Sequence, residues 1–431
     1  MNYSAAIAYL YSLQKHGIKL GLETMAALMG RLDKPHERFR TLHIAGTNGK
    51  GSTAAMTAAV LQAAGFRVGL YTSPHLVDFR ERIRVNGQMI DEEHVSQLTQ
   101  QIRDVCRGDL SPTFFESTTA MAFQYFADAS VDVAVVEVGL GGRFDATNVV
   151  QPIACAITTI ALDHQEYLGP TLSSIAAEKA GIIKPRIPVI VGQLDAEAEE
   201  TIERIALERR APMYRLNRDF QTIGTSTSGF DYRGVSSRRD GLTCPLAGRH
   251  QLDNAACALA LLEAAAAEGF LAPEEAVREG LRSVKWEGRL EIVERAPTIV
   301  LDGAHNPAAA SVLADSLAEM MQERPRGRLI LVLGMMRDKN HRGFIMPLRQ
   351  LVSEVVLTQA DLPRSATVSE LRVSLQDWMP FLHEAPVPVD ALALAKQLAG
   401  PEDVICVTGS LMLVGDVTAI YRGCGLSPIR G

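Results

Sequence analysis

The stretch from Thr41 to Thr53, TLHIAGTNGKGST, constrains the fold of this chain more than any other. An apolar segment leads into a glycine-rich loop that contains Lys50, and an alanine-rich run follows from Ala54. A strand, a glycine loop with one lysine and then a helix is the order in which backbone N–H groups and a helix N-terminus hold a polyphosphate. The spacing departs from G-x-x-x-x-G-K-[ST], and a glycine turn before a helix is the plainer alternative. The sequence on both sides favours a nucleotide-binding P-loop.

Length and composition limit the class of protein. At 431 residues the chain is longer than a single hydrophobic core usually supports, so we expect two domains. Hydrophobic residues make up 47% and charged residues 22%, which is typical of a soluble globular protein. The net charge of -7 is spread along the chain without a basic tract. The composition therefore argues against nucleic acid or a membrane as a partner.

The cysteines and the N-terminal segment predict a compartment. No pair of cysteines has the C-x-x-C spacing of a zinc site, and the first residues lack a basic region before an apolar run. No stretch approaches the roughly 18 apolar residues of a membrane span. We therefore expect a cytoplasmic protein with reduced thiols. The scattered cysteines are Cys106, Cys155, Cys244, Cys257, Cys406 and Cys424.

Alternation of β-rich and helical segments predicts the fold class. The predicted strands are continuously apolar, which indicates burial on both faces of a parallel sheet. A glycine-, serine- and arginine-rich stretch at 224–241 reads as a solvated hairpin or loop. We expect an α/β protein: an N-terminal P-loop domain with a mostly parallel sheet, and a smaller C-terminal Rossmann-like α/β domain. The predicted divisions are 1–285 for the first domain, 286–297 for a linker or hinge, and 298–431 for the second domain.

Four polar side chains near predicted strand ends are candidates for chemistry. Ser73 follows a strand, Glu137 lies near the end of an apolar strand, His164 follows the next strand, and Lys179 lies on a helix. Taken singly, a turn serine, a structural histidine and a surface lysine are the plainer readings, whereas a buried carboxylate needs a partner or a cation. Carboxyl ends of parallel strands share one edge, and Mg²⁺ prefers oxygen ligands. A magnesium site beside the phosphate loop is therefore the combined prediction.

Several motifs occur in one order over nearly the whole chain, and together they resemble one family. This family is the folylpolyglutamate synthases and dihydrofolate synthases, within the Mur-type ATP-dependent amide ligases. The motifs that carry the resemblance are GTNGKGST, YTSPHL, EVGLGGRFDATN, ALDH, EKAGI, the helix with Asn254, WEGRL and LDGAHNP.

The resemblance implies a role for each matching residue. Lys50, Lys179 and His305 would act in catalysis, and Lys179 would be carbamylated so that it can bind the second of two Mg²⁺ ions. Ser73, Glu137 and His164 would be the other magnesium ligands. The segment 18–23 resembles a pterin-side loop, in which Lys19 stands where an acidic residue occurs in some bifunctional members, so the roles of Lys19 and Leu20 stay open. The remaining implied positions are Thr47, Asn48, Gly49, Gly51, Ser52, Asn254, Arg289 and Asp302 for ATP, and Thr113, Phe144, Asp145 and Ala146 for the pterin.

Simpler explanations remain open for three of these positions. Asp302 would also suit a cap for the turn that leads to Pro307, and Asn254 would suit a helix N-cap. Arg289 has Glu287 and Glu291 as neighbours for an ion pair.

The implied activity is ATP-dependent addition of L-glutamate to dihydropteroate, to the tail of a folate such as tetrahydrofolate, or to both, through an acyl phosphate. The RFDATN stretch and Thr113 favour both activities, and a monofunctional folylpolyglutamate synthase is the alternative. The resemblance also implies a monomer. A cell-wall Mur ligase is a second alternative, although there is no room before Thr41 for a UDP-carrier domain. A nucleotide-gated switch is a third, and the guanine-reading string N-K-x-D that would support it does not occur.

Overall fold

The computed structural model describes residues 1–17, 21–108, 110–225, 229–378 and 381–426. Lys19 and Leu20, whose role the sequence left in doubt, lie outside the described residues. The chain divides into two compact units, each made of three stretches. The first unit comprises Met1–Pro74, Phe79–Pro245 and Gln251–Lys285; the second comprises His75–Asp78, Leu246–His250 and Trp286–Gly431.

The first unit is built on an eight-stranded sheet in the order β4-β3-β2-β5-β1-β6-β7-β8. The β2–β3 and β3–β4 pairings are antiparallel, and every other pairing in this sheet is parallel. The strands are β1 (Arg40–Ala45), β2 (Val68–Tyr71), β3 (Ile83–Val85), β4 (Gln88–Met89), β5 (Val133–Glu137), β6 (Ala154–Ile157), β7 (Val189–Val191) and β8 (Met213–Arg215). The helices are α1 (Tyr3–Ser12), α2 (Glu23–Arg31), α3 (Lys50–Ala63), α4 (Glu92–Val105), α5 (Phe114–Asp128), α6 (Gln165–Leu168), α7 (Leu172–Ala180), α8 (Ala196–Glu208), α9 (His250–Ala266) and α10 (Glu274–Ser283).

The glycine- and serine-rich stretch at 224–241 contributes to a small antiparallel sheet. Its strands are β9 (Gln221–Thr225), β10 (Gly229–Arg233) and β11 (Arg238–Leu242), in the order β11-β10-β9. The sequence predicted a single hairpin or a loop, and a third strand was missed. Phe230 and Tyr232 alternate with polar neighbours and are almost fully buried, so one face of this ribbon packs inward.

The second unit has a six-stranded sheet in the order β12-β13-β17-β14-β15-β16, in which only β12 is antiparallel. Leu329, Leu331 and Leu333 point to one buried cluster, and Ile330 and Val332 point to another. Both faces of β14 are therefore covered, as its continuous apolar run predicted. The elements are β12 (Glu291–Arg295), β13 (Thr298–Leu301), α11 (Pro307–Gln322), β14 (Leu329–Leu333), α12 (His341–Ile345), β15 (Val352–Leu357), α13 (Val368–Leu375), β16 (Leu382–Glu384), α14 (Pro388–Leu398), β17 (Val404–Thr408) and α15 (Leu411–Arg422).

The two-domain α/β class with mostly parallel sheets is confirmed. The boundaries predicted from the sequence stay a prediction; within the interval 286–297, strand β12 pairs with β13. No helix in the described part of the chain is long and apolar enough to cross a membrane.

Helix α3, which follows the glycine loop, packs closely against α10 because of Gly280. A Cβ atom at Gly280 would lie 2.4 Å from the Cα of Val60 and 2.6 Å from its nitrogen. Backbone atoms cannot move aside as a flexible side chain does, so a side chain here would push the two helices apart.

We expect Gly280→Ala to lower the free energy of unfolding by about 1–3 kcal/mol, despite the better helix propensity of alanine. Gly30→Ala in α2 is the matched control, because nothing lies within 4 Å of its Cβ position. That variant should be stabilised by up to about 1 kcal/mol. Urea unfolding of both variants tests the pair; equal shifts would show that helix packing at Gly280 is not limiting.

Candidate active site

The carboxyl ends of β2, β5, β1 and β6 form one continuous edge of the first sheet. The register pairs Ile44 with Glu137 and Ala45 with Ile157, so the segments after these strands emerge side by side. The chain lies to one side of β1 in β2 and β5 and crosses to the other side in β6. This is the topological switch point at which open α/β sheets bind ligands.

The glycine loop lies at this switch point, between β1 and α3. Gly46 and Gly49 have φ angles of 148° and 85°, which side chains rarely adopt. A Cβ atom at Gly46 would lie 2.0 Å from Thr158 Oγ1, and one at Gly49 would lie 2.3 Å from Asn254 Oδ1. Both glycines are thus required by conformation and by space. Lys50 begins α3 rather than lying within the loop, and the N-terminus of that helix faces the loop.

Two threonines that follow β6 hold the glycine loop in place. Thr158 Oγ1 donates to Asn48 O at 2.6 Å, while Thr159 Oγ1 accepts from Asn48 N at 3.0 Å and lies 3.1 Å from Asn48 O. Thr47 N donates to Thr159 O at 2.7 Å, and Thr47 Oγ1 accepts from Ala161 N at 3.0 Å. The backbone at Thr47 and Asn48 is therefore fixed by the segment that leads to His164.

Two lysines converge on one carbonyl of this loop. Lys50 Nζ donates to Gly46 O and to Thr47 O, each at 3.1 Å, and Lys179 Nζ donates to Gly46 O at 2.9 Å. Lys179 is 5% exposed, so the surface-lysine alternative is wrong. The pKa of Lys179 is lowered to about 7, chiefly by burial and also by the charge of Lys50, while Asp163 and Asp145 oppose the shift. Near neutral pH a large fraction of Lys179 is therefore an uncharged amine.

The predicted magnesium ligands lie at or after the carboxyl ends of strands β2, β5 and β6. Glu137 is 5% exposed, and its Oε2 accepts from Ser73 N at 3.2 Å. His164 has a positive φ of 50°, and its backbone N donates to Asp163 Oδ1 at 2.9 Å. In the described residues, no group of three or more His, Cys, Asp and Glu side chains is placed to bind a metal ion. The predicted set contains two such residues, so it would also need Ser73, waters or a modified Lys179.

A buried arginine near Glu137 was not anticipated from the sequence. Arg82 is almost fully buried, and its guanidinium carbon lies 5.2 Å from the centre of the Phe114 ring. Burial lowers its pKa, and the neighbouring Tyr71, Glu137 and Glu81 side chains act against that shift. The run FRERIR looks like a solvated charged segment, so only the fold reveals this burial. Thr158 and Thr159 were missed as well, although a threonine pair at a strand end was a usable signal.

The predicted pterin positions fall in two places. Thr113 caps α5: its Oγ1 accepts from Glu116 N at 3.2 Å, and Glu116 Oε2 accepts from Thr113 N at 2.7 Å. Phe144 is 36% exposed and lies under the guanidinium of Arg143. Asp145 is buried, and burial raises the pKa of its carboxyl while hydrogen bonds from its own loop oppose that shift. Ala146 is buried and begins a short 3-10 helix (Ala146–Val149).

The loop with Phe144 and Asp145 is fixed to the end of α7. Arg143 N donates to Glu178 O at 2.7 Å, and a Cβ atom at Gly142 would lie 2.8 Å from Lys179 O. This contact places the predicted pterin loop beside the helix that carries Lys179.

Asn254 lies on α9, close to the glycine loop. It is inside the helix rather than at its N-cap, so that alternative is wrong. Its Nδ2 donates to Gln251 Oε1 at 3.0 Å, which leaves Oδ1 directed at Gly49.

In the second unit, Asp302 organises the segment before it. Its Oδ2 accepts from Leu290 N and its Oδ1 accepts from Ala304 N, both at 2.9 Å. The cap of α11 is Asn306, not Asp302. His305 Nδ1 lies 2.9 Å from Gly303 O.

The ion pairs considered for Arg289 do not form. Arg289 Nη1 donates to Gly288 O at 2.9 Å. Glu287 instead pairs with Arg422, and Glu291 accepts from Gly288 N at 2.8 Å.

Comparisons with known proteins agree with this geometry. Residues 44–262 match the Mur ligase middle domain, and residues 288–411 match the Mur ligase, glutamate ligase domain. The dihydrofolate synthase/folylpolyglutamate synthase of Bacillus subtilis is 35% identical over 96% of this chain and 98% of its own length.

Two solved structures are similar over their whole length. Escherichia coli FolC in complex with DHPP and ADP has a TM-score of 0.89 at 35% identity, with 98% of both chains covered. A bifunctional folylpolyglutamate synthase/dihydrofolate synthase with Mn, AMPPNP and L-glutamate bound has a TM-score of 0.88 at 36% identity, again with 98% of both chains covered.

A glycine-loop site on one α/β unit, followed by a glutamate ligase domain, defines an ATP-dependent ligase of the Mur type. Within that class, the chain belongs to the dihydrofolate synthase/folylpolyglutamate synthase family. The family and enzyme class predicted from the sequence are confirmed, and the nucleotide-switch alternative is wrong.

The hydrogen bond between Thr159 and the glycine loop can be tested by mutation. Thr159→Val keeps the shape of the side chain but removes the hydroxyl that accepts from the partly buried Asn48 N. We expect the KM for ATP to rise on the order of five- to tenfold. Thr159→Ser, which keeps the hydroxyl, should stay within about twofold of the parent. If steady-state kinetics gave the same KM for ATP for the valine and serine variants, the Thr159 hydroxyl would not be needed to hold the loop.

Proposed function

We propose that this enzyme adds L-glutamate to dihydropteroate, to the glutamate tail of a folate, or to both, with ATP as co-substrate. The observation that carries the proposal is the lysine-bearing glycine loop at the switch point of a chain that matches its relatives almost end to end. Relatives with DHPP and ADP, or with AMPPNP and L-glutamate, support this choice of substrates.

The reaction needs an activated carboxylate, because hydroxide is a poor leaving group. A carboxylate oxygen of the acceptor attacks the γ-phosphorus of ATP, the bond to the β,γ-bridging oxygen breaks, and an acyl phosphate and ADP result. The glutamate nitrogen then attacks the acyl carbon, phosphate leaves with the electron pair of the C–O bond, and the nitrogen loses a proton. The chain contributes orientation and neutralisation of charge.

Lys50 is the residue that we propose for phosphate neutralisation. It begins α3, so its ammonium group and the helix N-terminus act at the same end of the loop. In the second unit, His305 is proposed to act near the phosphate. The further proposed nucleotide contacts are Thr47, Asn48, Gly49, Gly51, Ser52, Asn254, Arg289 and Asp302.

We propose Ser73, Glu137 and His164 as magnesium ligands. The Glu137 carboxylate is nearly buried and accepts a hydrogen bond from Ser73 N, and it suits a hard cation that takes oxygen ligands. When bound, magnesium would neutralise phosphate oxygens. The contacts proposed for the pterin are Thr113, Phe144, Asp145 and Ala146.

We also propose that Lys179 is carbamylated and completes the site for a second ion. Carbon dioxide reacts with the neutral amine, which the buried position of Lys179 and the nearby charge of Lys50 both favour. The product carries a negative charge beside Lys50, which replaces a repulsion by an attraction.

Product analysis tests the function. The purified enzyme should convert dihydropteroate, L-glutamate and ATP to dihydrofolate, and extend a tetrahydrofolate tail, with ADP formed in equal amount. Lys50→Ala should fold normally and lose on the order of 10²-fold or more in rate.

Each outcome of that analysis is decisive. Extension of folate without use of dihydropteroate would identify a monofunctional folylpolyglutamate synthase. Consumption of neither pterin substrate would overturn the proposal, and a Lys50→Ala variant with nearly normal kcat would overturn the role of the lysine.

Labelling with carbon-13 bicarbonate tests the carbamate at Lys179. Because only the uncharged amine reacts, the adduct signal should rise as pH increases through about 7. Lys179→Ala should remove the signal and most of the activity, and Glu137→Gln should raise the magnesium requirement without removing the signal. Lys184→Ala is the matched control, since burial also lowers the pKa of Lys184. A wild-type enzyme that is active but carries no adduct would contradict the modification.

A further inference from the structure

A buried histidine on the strand that leads to the glycine loop is not used by the proposed reaction. His43 lies in β1, three residues before Gly46, and is fully buried. Its Nε2 lies 2.8 Å from Thr147 Oγ1, and Thr147 Oγ1 lies 2.5 Å from Asp145 Oδ1. The three side chains form a polar chain from β1 to the loop that contains Phe144.

The direction of the hydrogen bonds in this chain follows from its acidic end. Asp145 accepts from Leu140 N at 2.8 Å and from Thr147 N at 3.0 Å, which suits an ionised carboxylate that accepts only. The Thr147 hydroxyl therefore donates to Asp145, and its oxygen accepts from His43. His43 must then carry its proton on Nε2, which agrees with a buried Nδ1 that has no partner in the described part of the chain.

Burial keeps His43 from titrating near neutral pH. Its pKa is lowered to about 3, chiefly by burial and also by the charge of Lys184. The ring is a neutral, fixed donor under all ordinary conditions. A polar side chain with no charge and no access to solvent is retained in a core at a free-energy penalty unless its hydrogen bond serves the structure or the site.

The Asp145 carboxylate is largely occupied by its own loop. Its oxygens accept two backbone N–H groups and the Thr147 hydroxyl. Its main effect is to fix the conformation of the loop, which leaves the partly exposed ring of Phe144 as the group that the loop presents.

We propose that His43 is a positioning residue for recognition of the pteroate or folate substrate, acting through Thr147 and Asp145 on the loop that carries Phe144. The inference rests on the proposed function, in which residues 144–146 contact the pterin. Strand β1 would then have two tasks. Its carboxyl end leads into the glycine loop, and the side chain of His43 in its middle orders the loop that binds the pteroate or folate substrate.

Two variants with side chains of similar size distinguish loss of the hydrogen-bond donor at position 43 from loss of packing. His43→Leu fills the space but cannot donate, while His43→Gln keeps an N–H donor near the position of Nε2. We expect the leucine variant to raise the KM for dihydropteroate or tetrahydrofolate on the order of fivefold or more, with the KM for ATP within about twofold. The glutamine variant should recover most of the lost affinity. Steady-state kinetics with each substrate varied in turn, together with thermal unfolding midpoints, gives the comparison.

A double-mutant cycle checks the path through Thr147. If His43 acts through that hydroxyl, adding Thr147→Val to His43→Leu should change the KM for the pterin substrate little beyond the larger single effect. Additive effects, a glutamine variant no better than the leucine variant, or an equal rise in the KM for ATP would each overturn the proposal.

Phe144→Ala distinguishes failure of the inference from failure of the function on which it rests. If the loop contacts the pterin, this variant should raise the KM for the pterin substrate whether or not His43 has the proposed role. An effect of Phe144→Ala without an effect of His43→Leu would reject only the role of His43. A normal KM in both variants would reject the proposed pterin contact as well.

Discussion

Two cationic side chains share one acceptor at the centre of this site. Lys50 and Lys179 both donate to the carbonyl oxygen of Gly46, in a place that excludes most solvent from Lys179. Two charges so close repel each other strongly when water does not screen them, and the lowered pKa of Lys179 expresses this repulsion together with the loss of hydration. Either an anion must occupy the site or one lysine must lose its charge. The proposed chemistry provides both routes, a polyphosphate at the loop and a carbamate on Lys179.

Much of the fold could be predicted because its signals are local. The glycine loop was predicted from its residue types and from the strand and helix on either side. The continuous apolar runs indicated strands buried on both faces. The motifs also gave the family, because their order along the chain is a one-dimensional property. The limits of helices were less accurate: α3 begins at Lys50 and not at Ala54, since a helix N-terminus depends on loop geometry that residue types do not specify.

The rest could not be predicted because it depends on distant contacts. Nothing near Lys179 or Arg82 in the sequence marks them as buried, and each is enclosed by elements far along the chain. Thr158 and Thr159 resemble ordinary strand residues until the fold brings them to Asn48. Asp302 accepts a backbone N–H group in the turn that follows it, as the simpler explanation predicted, but it also accepts one twelve residues earlier. Such pairings are set by tertiary structure, and propensity does not report them.

The three-stretch composition of the second unit limits its modularity. Leu76 and Val77, which come from the early part of the chain, belong to the same buried cluster as β13, β14 and α15. A Cβ atom at Gly415 would lie 2.2 Å from Leu76 O, so the early stretch fits against α15 without space for a side chain between them. The second unit is consequently not one continuous segment of the chain. Exchange of this unit between relatives by a single crossover would separate Leu76 from the residues against which it packs, and shuffling should succeed only where all three stretches move together.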